Sequence, residues 1–193
     1  MKKILNYAKE NNVPVVRPKT LELLLNTIKN NNSKEILEIG TAIGFSGLNM
    51  LKNSDANLTT IEKYERSYNI AKENFERLGY SSRVNQILGD ARDVLQKLVD
   101  ENKKFDFIFL DGPKGQYLSY LPLLDKLLVG GGIIFADDVL FRGLVQGDAW
   151  PEHRIRTLVI NLRKYLKAVN EPPFTSELVE IEDGVCITTK EKV

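Results

Sequence analysis

The sequence predicts an α/β fold: a doubly wound, mostly parallel sheet with a C-terminal antiparallel hairpin. Three observations lead there. Short apolar runs alternate with stretches of helical periodicity along most of the chain, the pattern of a parallel sheet with right-handed crossovers. The runs are almost wholly apolar, as from Ile36 to Ile39 and from Phe105 to Leu110, which suits strands covered on both faces. The alternation ends near the C-terminus, where two strand-like stretches flank Glu182-Asp183-Gly184, a turn signal.

Taken in order, residues 1–12 read as a short amphipathic helix. Pro14 and Pro18 favour an extended segment over 13–18, and Thr20 reads as the N-cap of a helix whose apolar face is Leu21, Leu24, Leu25 and Ile28. Residues 30–33 end that helix, and the first strand, 36–39, carries Glu38 near its end. A second strand over 58–62 closes at Glu62, followed by a helix over 64–78 with Gly79 as its stop. A strand over 84–89 and a helix over 91–100 come next. The strand at 105–110 ends at Asp111, a helix covers 116–128, and a strand at 131–136 ends at Asp137 and Asp138. A helix over 151–168 precedes the hairpin strands at 177–181 and 185–189. With 193 residues, 42% of them hydrophobic, the chain suffices for one α/β domain over 1–193, and it holds no internal repeat.

Composition excludes several classes. Lys plus Arg number 27 against 26 for Asp plus Glu, so the global charge does not single out a nucleic-acid partner; only local clustering could. The single Cys186 excludes an internal disulfide and suggests a reducing compartment. No apolar run reaches membrane-spanning length, and the opening M-K-K-I-L-N-Y is followed by charged and amide residues, unlike a signal peptide. The expectation is a cytoplasmic protein without a membrane partner.

The chemistry gathers after the first strand, in E-I-G-T-A-I-G-F-S, Glu38 to Ser46. Gly40 and Gly44 let the backbone turn sharply and a ligand approach closely. The spacing is neither G-x-G-x-x-G nor a Walker loop; it is E-x-G-x-x-x-G, with Glu62 placed to accept hydrogen bonds from ribose hydroxyls. A nucleoside without a pyrophosphate fits best. Ligands in open α/β sheets bind beyond the carboxyl ends of the strands, where Glu62, Asp90, Asp111, Asp137 and Asp138 all fall. Hard carboxylate oxygens without nearby His or Cys suit Mg²⁺, Mn²⁺ or Ca²⁺. The plainer alternative is that each acid caps a helix or takes up solvent.

The Glu38-to-Gly44 stretch with Glu62 resembles the first motif of the class I S-adenosylmethionine-dependent methyltransferases, which implies their Rossmann-like fold and cofactor. D-G-P-K, Asp111 to Lys114, and A-D-D-V, Ala136 to Val139, resemble the metal-dependent O-methyltransferases of the catechol and caffeoyl-coenzyme A type, a likeness running from about Val13 to the C-terminus. It implies that Asp111, Asp137 and Asp138 hold the divalent metal and that Lys114 is the general base, its charged form disfavoured beside a cation. Asp138 departs from the commoner Asn and adds negative charge. Within the family the likeness is strongest to the bacterial tRNA 5-hydroxyuridine methyltransferases, which make 5-methoxyuridine in the anticodon. It is carried by V-P-V-V, I-L-E-I-G-T-A-I-G-F-S, K-G-Q-Y, D-D-V-L-F-R-G-L-V and P-E-H-R-I-R. The resemblance implies cofactor contacts from Val16, Ser46, Glu62, Asp90, Ala91 and Asp111, with Glu38 and Gly40 in the motif itself, a tRNA anticodon loop as partner, and a homodimer.

Local charge bears on that partner. His153, Arg154, Arg156, Arg163, Lys164 and Lys167 interleave with Ile155, Leu158, Val159, Leu162 and Leu166 at helical spacing. Arg156, Arg163 and Lys167 would form a stripe which, with Arg142 nearer the site, could follow an RNA backbone; a solvated helix face is the plain alternative. Tyr117 is expected to lie against an unstacked target base. Two other functions compete: a small-molecule catechol-like O-methyltransferase with the same metal and base, and a noncatalytic RNA-binding module with a vestigial cofactor fold. Retention of the three acids and Lys114 argues against the last.

Overall fold

The apolar runs pair into one seven-stranded sheet in the computed structural model, which describes residues 1–147 and 152–192. In chain order the elements are α1 (Lys2–Glu10), α2 (Pro18–Asn30), β1 (Glu35–Ile39), α3 (Phe45–Lys52), β2 (Asn57–Glu62), α4 (Glu65–Arg77), β3 (Val84–Leu88), α5 (Ala91–Asp100), β4 (Phe105–Leu110), α6 (Tyr117–Leu127), β5 (Leu128–Ala136), α7 (Arg156–Ala168), β6 (Phe174–Val179) and β7 (Val185–Lys190). The strand order is β3-β2-β1-β4-β5-β7-β6. β1 to β5 run parallel, and β7 pairs antiparallel with both β5 and β6. The doubly wound sheet and its antiparallel tail are as the sequence predicts.

Because successive side chains of a strand point to opposite faces, the all-apolar runs feed two cores. On one face Leu37, Ile39, Ile108 and Leu110 pack with Leu95, Leu98, Tyr117, Leu124, Leu162 and Tyr165 of α5, α6 and α7. On the other, Ile36, Phe107 and Phe109 pack with Ile4, Leu24, Ile28, Leu48 and Phe75 of α1 to α4. Phe107, Ile108, Phe109 and Leu110 are all fully buried, so β4 lies at the centre, beside β1. The chain reverses its winding between those two strands, which opens a crevice at their carboxyl ends. Among the described residues no helix is long and apolar enough to cross a membrane.

The parallel ladder continues one residue beyond the strands. Gly40 N–H donates to Ile61 O (3.1 Å), Gly89 N–H to Glu62 O (2.8 Å), Asp111 N–H to Ile39 O (3.0 Å) and Asp137 N–H to Leu110 O (3.1 Å). Each loop that leaves a strand is thereby pinned to the strand beside it before it turns away.

Several boundaries differ from expectation for identifiable reasons. Helix α2 starts at Pro18, not after Thr20: proline takes the first helical position, where it forfeits no hydrogen bond. Thr20 lies buried inside the first turn, and the capping acceptor comes from far away, since the Glu182 carboxylate accepts from Lys19 N–H (3.3 Å) and Thr20 N–H (2.9 Å). β5 begins at Leu128 and not at 131, because Leu128 already pairs with Phe105; the V-G-G-G stretch, with Gly131 at φ +81°, absorbs the register shift that follows. α7 begins at Arg156, while 152–155 form no helix and the expected start at 151 lies outside the described residues. The first hairpin strand is Phe174–Val179, not 177–181, so the turn is longer.

The remote cap is testable. Glu182→Ala is expected to lower unfolding free energy by about 1 kcal/mol, the usual cost of a lost N-cap. Urea denaturation checks this, and an unchanged midpoint would show that water replaces the carboxylate at no cost.

Candidate active site

The loops leaving β1, β2, β3, β4 and β5 enclose a cavity of about 1000 Å³. Its wall includes Val16, Gly40, Glu62, Asp90, Ala91, Asp111, Lys114, Asp137 and Asp138, so most of the expected site residues meet there. The extended 13–17 segment forms another side of it.

At the β1 end the backbone passes through Gly40 at φ +106°, Ala42 at +46° and Gly44 at +81°. A Cβ on Gly40 would lie 2.5 Å from the Asp111 carbonyl oxygen, so the two loops at the reversal point approach too closely for any other residue. Glu62, at the end of β2, accepts from Ala42 N–H with one oxygen and from Tyr64 N–H with the other, both at 2.8 Å. A carboxylate has about four lone-pair sites, so each oxygen keeps capacity for a ligand hydroxyl. Asp90 caps α5 through Arg92 N–H (3.0 Å) and pairs with Lys63 Nζ (3.0 Å). The Lys63 hydrogen bond, with the Arg92 N–H, holds the Asp90 carboxyl below its usual value.

Glu38 and Ser46 are placed differently from expectation. Neither lines the cavity. Glu38 is fully buried, and its carboxylate accepts from the Ser46 hydroxyl and from Thr60 Oγ1 (2.6 Å). Because Thr60 spends its hydrogen on Glu38, the Thr41 hydroxyl is the donor in the 2.6 Å Thr41–Thr60 contact. The pair braces the glycine loop from behind.

At the opposite end Asp111, Asp137 and Asp138 bring one carboxylate oxygen each within 4.8 Å of one another. Asp138 N–H donates to Asp137 Oδ1 (2.7 Å), and Asp138 itself adopts φ +55°, a left-handed turn that Asp tolerates better than most residues. Lys114 Nζ stands 2.6 Å from Asp111 Oδ1 and 3.4 Å from Asp138 Oδ2. Burial, then Asp111 and Asp138, push the Asp137 carboxyl up to about 7. Burial also raises Asp111, against the pull of Lys114. Burial by itself would lower the Lys114 ammonium, but Tyr117, Asp111 and Asp138 outweigh it and hold the group well above its usual value. The two carboxylates thus favour the charged form of Lys114, whereas a cation held by them would disfavour it. A hard divalent ion fits this donor set: three carboxylate oxygens, no nitrogen or sulfur ligand among the described residues, and a mutual repulsion that Lys114 relieves only in part.

Two further expectations are corrected. Tyr117 is fully buried and cannot face a substrate base. Its hydroxyl donates toward Leu110 O (2.9 Å) and Asp137 O (3.1 Å), and its ring meets Tyr165 edge-on, so it supports the acid-bearing backbone from below. Arg163 is not on a phosphate-facing stripe. Its guanidinium donates to Val145 O (3.0 Å), Leu144 O (3.1 Å) and Gly147 O, clamping the segment after β5. Arg142, His153 and Arg154 are exposed, and Arg156 opens α7 half-buried. Arg17, Lys63, Tyr64 and Arg92 also line the cavity; no motif marks them, but Lys63 and Tyr64 directly follow Glu62 and Arg92 directly follows Ala91, so their position is the signal.

A family model described as O-methyltransferase matches residues 2–191. A caffeoyl-CoA O-methyltransferase of Populus kitakamiensis is 31% identical over 184 residues, covering 91% of this chain and 76% of that protein. A catechol O-methyltransferase of Niastella koreensis is 36% identical over 116 residues, 58% of this chain and 52% of that one. Among solved structures, an O-methyltransferase from Bacillus cereus in complex with SAH superposes with a TM-score of 0.89 at 26% identity, covering 98% of this chain and 90% of that one.

The buried motif glutamate has a measurable signature. Burial pushes Glu38 up to about 7, partly opposed by the Ser46 and Thr60 hydrogen bonds. A carboxyl whose folded pKa exceeds its unfolded value binds its proton more tightly in the folded state. Its stabilising contribution is complete below the ordinary carboxyl value of 4.5 and is lost as pH rises through about 7. Glu38→Gln should remove that loss. Between about pH 5 and pH 8 the denaturation midpoint of the wild type is expected to fall relative to that of the variant; parallel profiles would contradict the assignment.

Proposed function

Because this chain belongs to the family of S-adenosylmethionine-dependent O-methyltransferases, we propose that it methylates the 5-hydroxyl of 5-hydroxyuridine in a tRNA anticodon loop, with a divalent metal and Lys114 as general base. The observation that carries the chemistry is the meeting of Asp111, Lys114, Asp137 and Asp138 with Gly40 and Glu62 in one cavity. The RNA acceptor draws support from the motif segments shared with tRNA 5-hydroxyuridine methyltransferases and from exposed Arg142, His153 and Arg154.

Glu62 and the Gly40 loop bind the cofactor's nucleoside, with Val16 from the extended segment, Asp90 and Ala91 completing its wall. Asp111, Asp137 and Asp138 are the residues that would hold Mg²⁺ or a similar hard cation, which would supply Lewis acidity and lower the acceptor hydroxyl's pKa. In the transfer the sulfonium–methyl bond breaks as the oxygen–methyl bond forms, and the hydroxyl proton passes to Lys114 Nζ. Nζ accepts it only as the free amine. Pairing with Asp111 and Asp138 keeps it protonated, so the base role requires that pairing to be relieved.

The deciding experiment supplies labelled S-adenosylmethionine and Mg²⁺ with tRNA bearing 5-hydroxyuridine in one tube and catechols in another. Label is expected in tRNA and is expected to vanish in excess chelator. A simple catechol that outcompetes tRNA at equal concentration would make this a small-molecule enzyme instead. Lys114→Met is expected to lower kcat by about 10²–10⁴, the usual share of general base catalysis, and to leave the cofactor Kd unchanged. Unchanged turnover would remove Lys114 from the base role.

A further inference from the structure

Four cations line the cavity: Arg17, Lys63, Arg92 and Lys114. Lys114 is paired with Asp111 and Asp138, Lys63 with Asp90 at the far end, and Arg92 stands at that same far end on the first turn of α5. Arg17 differs. It reaches the acid end from the extended segment before α2, and its side chain is 50% exposed. Its Nη2 lies 3.5 Å from Asp183 Oδ2 and 3.9 Å from Asp138 Oδ1. Among the described residues these two carboxylates are its ion-pair partners, and Glu182 lies near enough to feel its charge. Both separations exceed the roughly 2.7–2.9 Å of a charge-assisted hydrogen bond, so the guanidinium is drawn toward the acids while its donor fork stays uncommitted. The arginine half of each pair is half exposed, and at these separations solvent screens the attraction, so a closer anionic acceptor competes for the fork.

The base of the side chain, in contrast, is fixed. Pro18 sets the start of α2, the Glu182 carboxylate caps the first turn, and Asp183, 16% exposed, is itself held by Arg142 N–H at 2.7 Å. Arg142 has its guanidinium over the Phe141 ring and does not line the cavity. A planar fork on an anchored stem beside the acceptor end of the site suits an anionic oxygen group, which it can bind through two parallel bonds.

We propose that Arg17 is a specificity-determining residue for the methyl acceptor, its guanidinium taking an anionic group carried next to the reacting hydroxyl. Under the RNA reading above, on which this identity rests, that group is a phosphate flanking the target nucleotide. The test compares two acceptor pairs, each with one member that carries the anionic group and one that lacks it. One is an anticodon stem-loop containing 5-hydroxyuridine, with its flanking phosphates either normal or replaced by uncharged methylphosphonates. The other is 3,4-dihydroxybenzoate against catechol.

Arg17→Gln is expected to raise KM for the charged member by about tenfold, as for a lost charge-assisted hydrogen bond. KM for the uncharged member, kcat and the S-adenosylmethionine Kd should stay within about twofold of the wild type, and Arg17→Lys should restore part of the loss. An equal rise for both members would mean that Arg17 only supports the fold, and no change would remove it from the acceptor site; either overturns the proposal. If the stem-loops are not methylated and the catechol pair is, the RNA reading fails while the catechol pair still decides Arg17. Turnover of neither pair overturns both.

Discussion

The site depends on a row of backbone hydrogen bonds at the carboxyl edge of the sheet. Gly40, Gly89, Asp111 and Asp137 each donate their N–H to the last turn of ladder on an adjacent strand. Those bonds satisfy amides that would otherwise be lost to a closed crevice, and they fix where each loop begins. The positions of the side chains follow from register: a strand shifted by one residue would turn its terminal acid to the opposite face. Gly40 is part of the same constraint, since Asp111 O occupies the space a Cβ would need.

That register forces acids together. Two like charges 4 Å apart repel by about 4 kcal/mol even at an effective dielectric of 20, and three of them share the rim after β4 and β5. The structure answers in three ways. Burial first, and then its acidic neighbours, push the Asp137 carboxyl up to about 7, Lys114 inserts its ammonium between Asp111 and Asp138, and Tyr117 secures the supporting backbone through Leu110 O and Asp137 O. None of these removes the repulsion altogether, which is the physical reason the cluster suits a divalent cation. Asp138 adds to the problem, and Arg17 approaches it from the far side.

What was legible in the sequence was what is local. The strands showed because a run such as F-D-F-I-F-L has no polar face, and the loop after β1 showed because only glycine serves where φ is positive and another backbone is close. The rim acids were visible as strand-terminal residues. What escaped depends on partners distant in sequence. Thr20 looked like a cap by its type, but the acceptor that caps α2 is Glu182. Arg163 looked like surface by its periodicity, but periodicity says only which face a residue takes, and here that side meets the carbonyls of 144, 145 and 147. Tyr117 looked accessible beside a catalytic lysine, yet the first turn of α6 directs it inward. Glu38 belonged to the right motif, but its place in the strand aims it at Ser46 behind the loop and away from the cavity.

The antiparallel tail is part of the site's support. Its turn at Glu182-Asp183-Gly184 reaches both segments that flank the cavity. Glu182 caps α2 at the end of the extended 13–17 stretch. Asp183 accepts Leu140 N–H with its carbonyl and Arg142 N–H with its carboxylate, and Gly184 O accepts Val139 N–H. Leu140 packs so closely on Gly184 that a Cβ there would fall 2.2 Å from its Cγ. β7 in turn is bonded to β5 along Ile133 to Ala136, directly below Asp137. A displacement of the hairpin would therefore disturb Asp138 through the 139–142 segment and Arg17 through the start of α2 together. Among the described residues Gly40, Glu62 and Asp90 of the nucleoside end make none of these contacts, and only Val16 ties that end to the segment Glu182 anchors, so the hairpin bears chiefly on the acceptor end.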